Sequence, residues 1–159
     1  MASEPATLIH SVPLEELPNV VRGGLQARSF FDDLGVEMRR GCVYCWLRRE
    51  DDRLWGANPA YAHVRVTVDT SRCRVAEMDF ASIALMYLQG QGGRPKNAEA
   101  VSLLAKLYEL TSVPLAEYHE GMFSTPEVLV LGDIAAADIA MVVGAGEPGG
   151  MAPDGPAKD

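Results

Sequence analysis

Long apolar runs are missing from this 159-residue chain. No stretch approaches the roughly 20 apolar residues that a membrane-spanning helix needs. The opening, MASEPATLIH, has neither a basic start nor an apolar h-region, so no secretory signal is expected. Cysteine is scarce. The three residues, Cys42, Cys45 and Cys73, are an odd number that speaks against a complete disulfide framework and for a reducing, cytoplasmic setting. Positive charge is also scarce, 14 Lys and Arg against 22 Asp and Glu, giving a net charge of −8. Binding to phosphate backbones rests on basic surface, so this balance disfavours a nucleic-acid partner. Neither the G-x-S-x-G elbow of a serine nucleophile nor the G-x-x-x-x-G-K-[ST] spacing of a phosphate-binding loop occurs.

Apolar material for a core is plentiful, at 48% of residues. It is enough for one domain, placed at residues 6–143. Residues 144–159, rich in Gly, Pro and Ala and without periodicity, read as a disordered tail. TLIHSV reads as a strand, and PLEELPNVVRGGL as a short helix stopped by Gly23-Gly24. GCVYCWLRR is a second strand by its β-branched and aromatic content. In AHVRVTVD, Val64, Val66 and Val68 alternate with His63, Arg65 and Thr67, the clearest strand pattern in the chain. Two helices follow, FASIALMYLQ with Asp79 as its expected cap and AEAVSLLAKLYEL with Asn97 as its cap. The strand PEVLVL, with Val128 and Val130 on one face and Leu129 and Leu131 on the other, precedes a last apolar stretch, IAMVVG. Strands at both ends with helices between predict an α+β fold with a mostly antiparallel or mixed sheet.

Several residue groups invite a chemical reading. Cys42 and Cys45 form a C-x-x-C, which Cys73 and His63 could extend to a zinc set. On a strand, however, positions three apart point to opposite faces, so ordinary buried thiols are expected. GQGGRPKN reads as a surface loop, and Arg39, Arg40, Arg48 and Arg49 as solvated charges flanking a strand. His10 by itself reads as a satisfied structural histidine, and Glu127 as a charge at a sheet edge.

Taken together, the two ends carry a resemblance. LIHSVPLEELPNVVRGGL, with His10, Pro13, Leu17, Val20, Gly23 and Leu25, resembles the opening of ADP-ribosyltransferase-like folds. TPEVLVLGDIAAADI resembles the late strand of that superfamily, and in particular its DarT-like branch of thymidine-modifying enzymes. The resemblance implies split mixed or antiparallel sheets with flanking helices, NAD as substrate, and transfer of ADP-ribose to an acceptor. It implies that His10 binds NAD, that Tyr44 is the aromatic partner of nicotinamide, and that Glu127 is catalytic. It also implies an arginine after the first helix, a place that Arg28, Arg39 or Arg40 could fill, with Arg39 and Arg40 entered as NAD-binding candidates. Val12 stands where the family often has Thr or Ser. The acidic body favours a protein or small-molecule acceptor over DNA. Two alternatives remain open at this point. One is a non-catalytic binding or regulatory protein. The other is an RNA 2′-phosphotransferase-like enzyme, which needs several arginines converging on one cleft.

Overall fold

The computed structural model describes residues 4–28, 34–93 and 95–141. The tail expected at residues 144–159 lies outside these. Seven strands form one antiparallel hydrogen-bonded sheet: β1 (Pro5–Pro13), β2 (Cys42–Trp46), β3 (Tyr61–Asp69), β4 (Cys73–Glu77), β5 (Val113–Pro114), β6 (Pro126–Leu131) and β7 (Ile139–Met141). Their spatial order is β5-β4-β6-β2-β1-β3-β7. Helix α1 (Leu17–Gly23) follows β1, and α2 (Met78–Gln89) and α3 (Ala98–Thr111) stand between β4 and β5. The expected α+β class with an antiparallel sheet is what the chain forms. Among the described residues, no helix is long and apolar enough to cross a membrane.

Strand alternation sorts the core into two layers. Val64, Val66, Val128 and Val130, each fully buried, share one layer with Cys45 and Cys73. Leu129, Cys42 and Ala76 face the other way, under Ala81, Ala84 and Tyr108 of α2 and α3. Burying each such valine contributes about 1.5–3 kcal/mol, so the alternating pattern of β3 and β6 is a large part of what holds the sheet in register. Leu131, at the end of β6, is exposed.

The sheet has one weak seam. β1 pairs with β3 along its whole length, from Pro5 facing Asp69 to Pro13 facing Tyr61. β2 pairs as completely with β6, from Cys42 facing Leu131 to Trp46 facing Glu127. Between β1 and β2, a single facing pair is formed, Ile9 with Trp46. Beyond that pair the strands part, so a four-strand half (β5-β4-β6-β2) and a three-strand half (β1-β3-β7) meet at one point.

Two expectations are corrected by the packing. The cap of α2 is Glu77, whose carboxylate accepts from the Asp79 amide and also from Ser124 and Thr125 N–H groups. A carboxylate reached by three amides outcompetes Asp79, which sits inside the first turn. Strand β4 itself, in CRVAE, went unread because Arg74 and Glu77 interrupt its short apolar pattern. Asn97 does cap α3, its side-chain oxygen accepting from Ala100 N at 3.1 Å. The Gly23-Gly24 stop also holds. Gly24 adopts φ 84°, and a Cβ there would run into the Ile134 carbonyl. That close approach lets Leu25 and Ile134 exchange two backbone hydrogen bonds, at 2.8 and 2.9 Å, pinning the end of α1 to the chain after β6.

Candidate functional site

Where β1 and β2 part, a cavity of about 740 Å³ opens, within the roughly 300–1,000 Å³ range of small-molecule sites. His10, Tyr44, Arg39, Glu127 and Arg28 all line it. Antiparallel pairing explains how residues so far apart in sequence converge. Tyr44 sits on the β2 side of the seam, His10 on the β1 side, and Glu127 faces Trp46 one strand further along.

His10 bridges the seam. Its Nδ1 lies 2.7 Å from the Tyr44 carbonyl oxygen. A carbonyl only accepts, so Nδ1 carries the proton, and in the neutral ring Nε2 is left as an acceptor. The ring thus satisfies a backbone carbonyl that β1 no longer reaches. Burial lowers the His10 pKa, against the opposing pull of the Tyr44 carbonyl and of Asp52. The imidazole is therefore neutral at neutral pH.

Glu127 is not an edge charge. β6 lies between β2 and β4, and Glu127 is 3% exposed. Its Oε1 accepts from Arg39 Nη1 at 2.5 Å and from the Tyr108 hydroxyl at 2.9 Å. Arg39 Nη1 also reaches the Tyr108 oxygen at 2.6 Å, closing a buried triangle of guanidinium, phenol and carboxylate. Burial alone would lower the Arg39 pKa, but attraction to Glu127 and Tyr108 outweighs it and the pKa is raised. The Tyr108 phenol is pushed up by burial and by the Glu127 charge, so it stays a donor. Arg39 lies over the Tyr44 ring at 4.6 Å from its centroid. The Tyr44 hydroxyl donates to the Arg39 carbonyl at 2.5 Å, which ties the 3₁₀ turn at Glu37–Arg39 to β2.

Arg39, read from sequence as one of several solvated charges, is 2% exposed. Arg40 is where that reading holds. It is exposed, pairs with Glu37 at 3.1 Å, and is not among the residues that line the cavity, unlike Arg39 and Arg28. Neighbouring residues at the end of a 3₁₀ turn point different ways, and only one of the two can enter the seam. Arg28 borders the cavity from the chain after α1, held by backbone hydrogen bonds with Cys42 at 2.9 and 3.1 Å.

Tyr108 escaped sequence reasoning, although a signal existed. Val101, Ala105 and Tyr108 form one stripe of α3, and a tyrosine on a core stripe needs a partner for its hydroxyl. The loop after β2 was equally unread, yet its Asp52 and Trp55 line the cavity together with Tyr61 at the start of β3. The thiols follow strand alternation. Cys42 lies in one core layer and Cys45 in the other, with all three cysteines buried and free. Burial pushes the Cys73 thiol up to about 11 and raises Cys45 further. Among the described residues, no three His, Cys, Asp or Glu side chains gather as metal ligands. Comparison of the chain with family models, with curated proteins and with solved structures finds no match.

Proposed function

We propose that this chain is an ADP-ribosyltransferase-like protein that binds NAD in the seam cavity and transfers ADP-ribose to a protein or small-molecule acceptor. The observation that carries the reading is the convergence of His10, Tyr44, Arg39 and Glu127 on one cavity at the parting of two half-sheets. On this reading the two halves correspond to the split sheets of that superfamily. In the reaction, the bond between ribose C1′ and the nicotinamide nitrogen breaks. Its electron pair leaves with nicotinamide and positive charge develops on the ribose. A carboxylate placed against that charge stabilises the transition state, and on this reading Glu127, a carboxylate that lines the cavity, takes that role. The acceptor nucleophile then bonds to C1′ and gives up its proton, which on this reading Glu127 takes. Arg39 and Tyr108, both on Oε1, fix the orientation of the carboxylate and leave Oε2 for the reacting centre. His10 Nε2 supplies an acceptor for a ribose hydroxyl.

The experiment is incubation with labelled NAD and a cell lysate, alongside thermal unfolding with and without NAD. Label on an acceptor and a raised melting temperature are expected. NAD at 100 times its Kd adds about 2.7 kcal/mol to the folded state. Neither label nor shift at millimolar NAD would overturn the reading. One observation favours a second reading, an NAD-binding protein without transfer: Oε1 is fully engaged by Arg39 and Tyr108. A thermal shift without label selects it. The phosphotransferase alternative needs several arginines on the ligand, whereas Arg39 is held by Glu127 and Arg40 by Glu37.

A further inference from the structure

The wall of the cavity formed by the loop after β2 carries a feature that the transfer chemistry does not use. Trp55 and Tyr61 stack with ring centroids 4.4 Å apart and planes 12° from parallel. Both line the cavity, yet Trp55 is 38% exposed and Leu54 beside it is 68% exposed. Large apolar side chains left open at the wall of a cavity mark a surface made for a ligand.

The loop holding them is rigid by construction. Asp52 is 3% exposed and uses both carboxylate oxygens. Oδ1 accepts from the Leu54 and Trp55 amides at 3.1 and 3.0 Å, and Oδ2 accepts from the Ser11 hydroxyl of β1 at 2.5 Å. Gly56 closes the turn, its amide donating to the Asp52 carbonyl at 2.9 Å. A Cβ on Gly56 would collide with the carbonyls of Asp52 and Arg49. Tyr61 is fixed in turn by its place in β3, opposite Pro13. The Asp52 carboxylate thus fixes the backbone that carries Leu54 and Trp55 and ties it to β1. Tyr61 covers one face of the indole, so the ring presents its other face as a flat platform in the same cavity as His10 and Glu127.

We propose that Trp55, backed by Tyr61 and flanked by Leu54, is a stacking subsite for a planar heteroaromatic ring of nucleobase type. An indole face binds such a ring through dispersion and π stacking without reading its edge. The subsite rests on the ADP-ribosyltransferase reading only for which molecule carries the ring: the adenine of NAD itself, or a base belonging to a separate acceptor.

The test uses the full chain with Trp46→Phe, so that Trp55 is the remaining tryptophan. Adenosine is titrated against its emission, and binding of adenosine, ADP-ribose and NAD is measured by calorimetry in wild type, Trp55→Ala and Trp55→Phe. Adenosine is expected to quench Trp55. Trp55→Ala is expected to weaken adenosine at least about 10-fold, with Trp55→Phe recovering most of the loss. If ADP-ribose displaces adenosine, the ring is that of NAD; if both bind together, it is the acceptor's. Absence of quenching, or equal adenosine affinity in folded Trp55→Ala and wild type, overturns the proposal. The two readings fail separately. NAD bound by wild type, with adenosine affinity unchanged in Trp55→Ala, removes the platform alone, and adenosine bound through Trp55 where NAD is not bound removes the transferase reading alone.

Discussion

Replacing Arg39 by Met tests the centre of the site most directly. The Arg39 and Glu127 side chains are 3% and 4% exposed, so solvent does little to screen their pair. Met keeps much of the apolar stem of Arg39 and removes the charge. The Glu127 carboxylate would keep one hydrogen bond, from Tyr108, and lose its counter-charge. Breaking a buried pair from one side costs about 3–5 kcal/mol, because the remaining charge stays buried. A domain of this size has about 5–15 kcal/mol in all, so the variant should lie near the edge of unfolding. Glu127→Leu should cost a similar amount by stranding the guanidinium. The double variant Arg39→Met/Glu127→Leu strands neither charge of the pair and leaves the Tyr108 hydroxyl without these two partners, worth about 1–3 kcal/mol. It should therefore be more stable than the sum of the single losses predicts, by about 2 kcal/mol or more. Urea unfolding followed by far-ultraviolet circular dichroism measures all four proteins. Losses that add within about 0.5 kcal/mol would refute the claim that these residues act as a buried pair.

Other consequences can be checked alongside. Glu127→Gln retains an oxygen for Arg39 and Tyr108, so it should still be stabilised by NAD while transfer falls by at least about 100-fold, the scale of losing a transition-state charge. Unchanged turnover would remove Glu127 from the chemistry. The pKa of His10 is lowered in the folded state, so below its ordinary value of about 6.5 the unfolded chain takes up the proton first. Its contribution to stability is whole above that pH and is lost as pH falls toward the folded-state pKa. His63, also lowered, mainly by burial, adds a loss of the same sign. His10→Asn, which keeps a donor for the Tyr44 carbonyl, should flatten part of this acid slope in urea midpoints; superimposable slopes would contradict it. Gly24→Ala forces a Cβ against the Ile134 carbonyl at φ 84° and should lower stability by about 1–3 kcal/mol, with the amides of Leu25 and Ile134 exchanging faster. Thiol reagents should leave Cys42, Cys45 and Cys73 unmodified in the native protein and label all three after unfolding, since each is buried.

What was legible in the sequence were the local elements whose pattern repeats. The alternating valines of β3 and β6, the Gly-Gly stop of α1 and the Asn97 cap depend on neighbours a few residues away, and local chemistry decides them. The opposed cysteines of β2 follow from the same two-residue period. Composition set the acidic charge and provided for a core without disulfides. Pairing order was beyond reach, because β6 joins β2 on one side and β4 on the other, strands far away in the chain that no local pattern links to it. That order alone turned Glu127 from a charge at the lip of a strand into a buried carboxylate. It separated Arg39 from Arg40, identical in type and adjacent in the chain, by admitting one to the seam and turning the other to solvent. It brought Tyr108 to Glu127, and Trp55 to a cavity that nothing nearby in sequence announces. The reason is physical: a charge is stable inside a protein only where distant elements deliver its partner, and only the assembled sheet delivers Arg39 and Tyr108 to Glu127.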